Sequence, residues 1–494
     1  MKICRSNGLR TIYSGIICDE KTTCSVWKVQ FLVQEKHNKL LSAIISIGLL
    51  SFLGIVVETA LNITFPQLTT YFSIPISQVQ WLTTGYMLVS TSLIPLGSFF
   101  LRRFRVVTLF RVSCLSFLVG TLIASFSNSF NLVLLGRLCQ GIADGIALPL
   151  MFAVVLDQVP KKKVGTFMGI GSLVIAFAPA VGPIYGGIIQ DTLNWHFLFI
   201  ILIPIIMVTW LLGELSIEQS SPVHYVPFDV RGGIFLAIFL TTTLMFIVNL
   251  TANSSSFKLY LFLLGTAFFS GLLFLLNEKH KSHKLLELSL FKNKRFLQLL
   301  SAFFLLQFSS LSMSYLIPNV LQILFAQSPG LVGFLIAPAA VIDAVLSVVA
   351  GIIYDKTAPR LPIISGCIII GLTFLGANLF TPSIGGLVLI YMLFMVGLSF
   401  SYSNIMTYSL SQLPAGLVND GNSIYMTVQA YSGAVGIAIS SSIVSLLQKQ
   451  QGSVISGTKW GLAINFLILF FVAVFTISLC LIALRNKVIK GDKE

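Results

Sequence analysis

The chain has 494 residues, 56% of them hydrophobic and 10% charged, with a mean hydropathy of +0.92. That balance excludes a water-soluble fold, because charge becomes scarce only where hydrocarbon is the solvent. The net charge of +14 does not indicate a nucleic-acid partner: the basic residues form short clusters between apolar runs, the pattern of the positive-inside rule.

Residues 1–39 are polar, carry Cys4, Cys18 and Cys24, and lack the apolar core of a signal peptide. They read as a cytoplasmic tail, or as a start placed upstream of the natural one. Apolar stretches of about 20 residues, enough to cross a bilayer, then recur. They fall near 40–63, 77–100, 106–127, 131–156, 164–190, 195–216, 229–250, 257–277, 295–326, 330–353, 361–380, 384–412, 421–447 and 460–484. These are roughly fourteen transmembrane helices.

Arg102, Arg103 and Arg105 follow span 2, and Lys161, Lys162 and Lys163 follow span 4. Six basic residues crowd 279–295, Lys356 and Arg360 follow span 10, and four more end the chain. The intervening loops carry only Lys258, Lys449 and Lys459. This alternation predicts an even number of spans with both termini in the cytoplasm.

A repeat is visible. Gly351-Ile-Ile-Tyr354-Asp355-Lys356, followed by Arg360, closes span 10 as Gly97-Ser-Phe-Phe-Leu101-Arg102-Arg103-Phe104-Arg105 closes span 2. The pair predicts two six-helix bundles related by an axis along the membrane normal. The expected division is a tail over 1–39, a first bundle over 40–216, an inserted helix pair and cytoplasmic loop over 217–294, a second bundle over 295–485, and a tail over 486–494. Leu285, Leu286, Leu288, Leu290 and Phe291 predict a short amphipathic helix in the loop 278–294.

Ionisable groups inside spans cost several kcal/mol and are candidates for function. Arg137, Gln140, Gly141 and Asp144 stand at i, i+3, i+4 and i+7, on one face of span 4. Arg137 keeps its proton, so a carboxylate must carry any that moves. Asp144 is one candidate. Glu58 is another, placed towards the outer end of span 1 with Asn62 one turn on. An Arg137–Asp144 contact would have to reach across two turns. Asp343, in the middle of span 10, is a candidate for attracting a cation. Asp355 and Arg360 read as a gate at the end of that span, with Arg102 and Arg105 their first-half equivalents. Asp420 reads as the N-cap of span 13, and Asp157 and Asp191 as solvated span ends. Among the aromatic residues, Tyr86, Tyr315 or Tyr425 would suit stacking on a flat cation.

Span 5 ends Gly182-Pro183-Ile184-Tyr185-Gly186-Gly187. Glycines one turn apart let a neighbouring helix approach closely, and Pro183 removes a backbone N–H and bends the helix. The full Gly-Pro-x-x-Gly-Gly pattern resembles the antiporter signature of major facilitator exporters. Glu58-Thr59, Asn62 and Pro66 resemble the acidic-Thr…Asn…Pro motif of their first helix, and Arg137 with Gln140-Gly141 the Arg-x-x-Gln-Gly motif of their fourth. Trp195, Pro204, Tyr315, Pro318, Gln322, Pro329, Gly333 and Pro338 fit the same pattern. Over about residues 40–485 the chain thus resembles the fourteen-helix drug:H⁺ antiporter branch of the major facilitator superfamily. The loop after span 2 departs from it: Leu101 and Phe104 stand where the family carries Asp and Gly.

The resemblance implies an all-α polytopic membrane protein with the major facilitator fold. It implies a proton-coupled antiporter of the multidrug efflux type, in the cell membrane, exporting lipophilic compounds that include cations. Glu58, Arg137 and Asp144 would serve proton coupling; Asp343, Asn62 and Gln140 the substrate; Gly182, Pro183, Gly186 and Gly187 the antiporter motif; Arg102, Arg105, Asp355 and Arg360 the gates. The expected partners are a small-molecule substrate, protons and membrane lipids, with a monomer as the working unit. Two alternatives stand beside it: a major facilitator transporter of a specific metabolite, peptide or lipid, and a non-transporting membrane sensor or scaffold. An enzyme is not expected. There is no Gly-x-x-x-x-Gly-Lys-Ser/Thr loop, and the five histidines show no His-Glu-x-x-His spacing. The seven cysteines show no Cys-x-x-Cys pair. No cofactor or metal is expected.

Overall fold

A computed structural model of the protein describes residues 24–74, 76–219, 229–249, 257–279, 285–379 and 383–485. Most of the two tails lies outside them, as do the side chains of Asn62 and Pro183. In a bilayer every backbone N–H and C=O must be satisfied within the segment, which a helix does and an isolated strand cannot. The apolar runs accordingly fold as helices.

The helices are α1 (Cys24–Phe72), α2 (Ile76–Val79), α3 (Trp81–Leu93), α4 (Gly97–Arg103), α5 (Val106–Phe126), α6 (Phe130–Gln158), α7 (Val164–Thr192), α8 (Phe197–Ile200) and α9 (Leu202–Ser216). The inserted pair is α10 (Val230–Asn249) and α11 (Phe257–Lys279). Then come α12 (Lys294–Phe325), α13 (Pro329–Lys356), α14 (Arg360–Leu379), α15 (Ile384–Ser411), α16 (Val418–Gln451) and α17 (Val454–Ala483). Among the described residues 13 segments are long and apolar enough to cross a membrane. With α7, a helix of 29 residues, they account for all the predicted spans. The surface is inverted relative to a soluble protein. Phe334 is 75% exposed and Phe126 73%, whereas Arg137 is 0% exposed. Apolar side chains on that outer face suit contact with lipid.

Local chemistry sets the boundaries. The Asn293 side chain accepts from the backbone N–H of Arg295 and Phe296 to start α12. Ser328 caps α13, with Pro329 at its first position, where the missing N–H costs nothing. Pro95 interrupts span 2 with a single 3₁₀ turn, Ile94–Leu96, between α3 and α4.

Three expectations need correction. α1 runs to Phe72, so Glu58 lies 14 residues, about 21 Å at 1.5 Å per residue, from its end rather than near it. The segment after α11 is no amphipathic surface helix. Among its described residues it forms a short 3₁₀ turn, Leu288–Lys292, with Leu285, Leu286 and Leu290 buried. Asp420 is not an N-cap: Leu417 holds that position, and Asp420 sits in the first turn of α16 at 1% exposure.

In the first half α1 packs on α6, α7 and α9, while α3 and α5 flank α6. In the second half α12 packs on α15, α16 and α17, and α13 and α14 pack on α15. The halves repeat in detail. Pro160 and a 3₁₀ turn over Lys161–Lys163 lead into α7, just as Pro414 and a 3₁₀ turn over Ala415–Leu417 lead into α16. The inserted helix α10 lies on the seam between halves. Its Thr241 hydroxyl is 3.0 Å from that of Ser92 on α3, and its Leu240 carbonyl accepts from Tyr431 on α16.

Candidate functional site

Small residues bring three helices of the first half together. A Cβ on Gly136 would meet the Gly120 carbonyl at 2.6 Å, and one on Gly141 the Tyr86 carbonyl at 2.6 Å. α6 is therefore held close to both α5 and α3, as small-residue faces permit in membranes. Its polar face turns inward. Arg137 donates through Nε to the Leu82 carbonyl at 3.0 Å and through Nη1 to Gln140 Oε1 at 2.6 Å. Its guanidinium lies over the Tyr86 ring at 4.1 Å. Gln140 in turn donates to Thr121 on α5 at 2.9 Å. Asp144, one turn further along α6, accepts from the Ser90 hydroxyl at 2.6 Å.

Arg137 and Asp144 make no direct ion pair among the described residues, as their spacing of two turns predicts. Glu58, half-buried on α1, lies within electrostatic range of both. The Tyr86 hydroxyl points at α1 one turn before Glu58: a Cβ on Gly54 would meet it at 2.5 Å. Arg137 Nη2 is buried without a hydrogen-bond partner among the described residues, and the Tyr86 hydroxyl faces the Asp144 carboxylate. The arrangement is a cation with two carboxylates on different helices within electrostatic range and a spare donor at Arg137 Nη2. In a low-dielectric interior such groups interact far more strongly than in water.

Asp343 lies apart from this cluster, in the second half. It accepts from the Ser399 hydroxyl at 2.7 Å, and Tyr391 and Tyr402 are within its electrostatic range. The Tyr391 hydroxyl is 3.3 Å from that of Ser314, and Tyr402 stacks on Phe303 at 4.4 Å. Of the three tyrosines considered from sequence, Tyr86 already faces Arg137. Tyr425 is fully buried against Phe303, and Tyr315 is half-buried.

At the glycine-rich end of α7, Gly182 and Gly186 face α1. A Cβ on Gly182 would collide with the Thr59 hydroxyl and come to 2.8 Å from the Val56 carbonyl, and one on Gly186 to 2.7 Å from the Ala60 carbonyl. Gly187 differs: a Cβ there meets nothing within 4 Å.

The polar contacts joining the two halves gather at the basic end. Asp355 Oδ1 accepts from the Gly165 N–H at 2.8 Å and Oδ2 from the Thr166 N–H at 2.7 Å, at the first turn of α7. The Ser347 hydroxyl donates to the Gly169 carbonyl at 3.2 Å. Asn422 donates to the Pro149 carbonyl at 2.8 Å, and Arg102 faces Asp420 at 3.5 Å. Arg105 and Arg360 are exposed. Sequence reasoning named Tyr86 only as a ring for a substrate cation, not as the partner of Arg137, and it missed Ser90, Thr121, Ser399, Thr166 and Asn422. Ser90 alone had a signal, standing one turn after Tyr86 on span 2.

Comparison with known proteins agrees with this architecture. The family profile described as Major Facilitator Superfamily matches residues 47–437. The lincomycin resistance protein LmrB of Listeria monocytogenes is 32% identical over 407 residues, covering 81% of this chain and 85% of that protein. The multidrug export protein EmrB of Haemophilus influenzae is 25% identical over 408 residues, covering 80% and 78%. The crystal structure of the human organic anion transporter MFSD10 superposes with a TM-score of 0.60 at 14% identity, covering 87% of this chain and 99% of that one.

Proposed function

We propose that this chain, which belongs to the Major Facilitator Superfamily, exports lipophilic compounds, cations among them, across the cytoplasmic membrane in exchange for protons. The observation that carries the coupling is the buried Arg137 with Glu58 and Asp144 beside it on two helices. Arg137 stays charged throughout, so the protons ride on the carboxylates. A fixed cation makes their proton affinity sensitive to small movements of α1 against α6. Similarity to proteins named for lincomycin resistance and multidrug export supports a drug-like cargo.

The moving bodies are residues 40–216 and 295–485, with 217–294 as the inserted pair and its loop. They rock about a midplane cavity. The basic side is cytoplasmic, both termini lie there, and the working unit is a monomer without catalytic chemistry of its own. With that side cytoplasmic, the contacts gathered there support the reading of an outward-facing state. Glu58 and Asp144 load protons in it, and Asp343 with Gln140 and Asn62 contacts cargo.

The test is transport in proteoliposomes with a panel of cationic and neutral lipophilic compounds. Glu58→Gln or Asp144→Asn is expected to abolish export driven by a pH gradient and to spare downhill exchange. Asp343→Asn is expected to weaken cationic cargo and spare neutral cargo. Unchanged gradient dependence in both Glu58→Gln and Asp144→Asn would overturn carboxylate coupling. Absence of transport of any compound by the wild-type chain would overturn drug export.

A further inference from the structure

We propose that Arg102 and Asp420 form the first-half counterpart of the Asp355 latch, with the acid moved from the end of span 2 onto the helix that it holds. Neither the sequence motifs nor the family match gives Asp420 such a part.

The argument starts from the repeat. Asp355 stands four residues after Gly351 at the end of α13, and Leu101 stands four residues after Gly97 in α4. Asp355 takes the N–H groups of Gly165 and Thr166. These are among the amides that a helix start leaves without intrahelical partners, at the positive end of the helix dipole. The helix that α4 meets in the mirrored place is α16, and it is approached in the same way, through proline and a 3₁₀ turn. Aligned on that approach, Val164-Gly165-Thr166 corresponds to Val418-Asn419-Asp420.

Leu101 has no acceptor to offer this second helix start. Its side chain is half-buried against the hydrophobic core instead. The negative charge is supplied from the other partner: Asp420, at the position of Thr166, lies in the first turn of α16, where the helix dipole favours an acid. Its carboxylate is 3.5 Å from the guanidinium of Arg102, the residue next to Leu101. The interface around the pair is tightly packed. A Cβ on Gly97 would be 3.1 Å from Pro149 and 3.2 Å from the Ser423 hydroxyl, and Asn422 donates to the Pro149 carbonyl. Arg102 and Ser98 both donate to the Leu285 carbonyl at 3.1 Å. The linker of the inserted pair is thereby tied to the same latch.

The two latches differ in kind. Asp355 uses neutral donors, whereas Arg102–Asp420 is an ion pair whose acid is 1% exposed. Removing Arg102 leaves the buried Asp420 with only the neutral Ser98 and Glu287 backbone donors, and removing Asp420 takes from Arg102 the acid that draws it onto α16; either change disfavours the closed arrangement. When the halves part, water reaches both charges. The pair therefore acts on the closed state of the basic end.

Double electron–electron resonance between spin labels tests this without any substrate, so its outcome is independent of what the chain transports. Labels go on Lys162→Cys and Gln412→Cys, both exposed at the basic end, with Cys4, Cys18, Cys24 and Cys139 replaced by serine. Asp420→Asn and Arg102→Gln are each expected to shift the distances to longer values. Adding Leu101→Asp to Asp420→Asn is expected to shift them back, because the acid then faces the first-turn amides of α16 as Asp355 faces those of α7. Leu101→Asp alone places a second acid beside Asp420 and is expected to lengthen the distances. If Asp420→Asn and Arg102→Gln both leave the distances unchanged, the pair is no latch. If Leu101→Asp fails to restore Asp420→Asn, the equivalence with Asp355 is wrong.

Discussion

Arg137 acts in its cluster through shape as much as through charge. Its planar fork reaches Leu82 and Gln140 at once while its face covers Tyr86, which an ammonium cannot do. Arg137→Lys is therefore expected to keep the charge and lose the geometry. Leaving a buried polar group unpaired costs about 1–3 kcal/mol, so export in proteoliposomes should fall roughly tenfold or more while the protein still inserts. Export at the wild-type rate would make Arg137 a point charge only. The spacing of Arg137, Gln140 and Asp144 was legible in the sequence because the helical period puts them on one face. Ser90 and Thr121 were not, and neither was the pairing of Tyr86 with Arg137, since hydroxyl residues are scattered through every span and only packing chooses among them. Asp420 shows the limit more sharply: an acid beside a predicted helix start invites an N-cap reading, and a helix that begins a few residues earlier makes it a buried partner of Arg102 instead.

α7 shows what the order of residues says about an element and what it leaves out. The predicted span, 164–190, differs from the helix Val164–Thr192 by two residues at one end, because a long apolar run with three lysines before it and Gln190-Asp191-Thr192 at its end has little freedom in a bilayer. The spacing of Gly182 and Gly186 predicted close approach of a neighbour, but the neighbour, α1, emerged only from the fold. The same fold separates Gly187 from the other two. Gly182→Val and Gly186→Val are expected to abolish coupled export by forcing α7 away from Thr59 and Ala60. Gly187→Val, where a Cβ finds open space, is expected to retain it. Transport assays on the three variants, with insertion checked in membranes, decide the point: equal loss in all three would make the motif a matter of backbone flexibility, and equal retention would make it plain packing. The leucines after α11 went the other way. Read as an amphipathic surface helix, Leu285, Leu286 and Leu290 are buried beside the seam, because the inserted pair brings a partner face that periodicity cannot reveal.

At the scale of the whole molecule, the alternation of basic loops and the repeat of Gly97 and Gly351 made two bundles legible before any contact was known. The seating of α10 across the seam was not legible, as it depends on how an apolar helix with no charged face meets α3 and α16. The tail before the first span carries none of the sequence motifs that define the bundles. A chain beginning near Lys36 is expected to insert and transport as the full one does; loss of transport with insertion intact would assign the tail a regulatory part. Orientation is the remaining property of the whole. Lys and Arg cluster at one end of the helices, and Asp355 and Asp420 hold the halves together at that same end. If this end is cytoplasmic, a membrane-impermeant maleimide added outside cells should label a cysteine placed at Ser254, between α10 and α11, and spare one placed at Ser282, between α11 and α12. The two positions are separated by a single crossing, so the reverse pattern would invert every loop together. It would then place the closed end outside the cell, make this state inward-facing, and turn the exporter reading around with it.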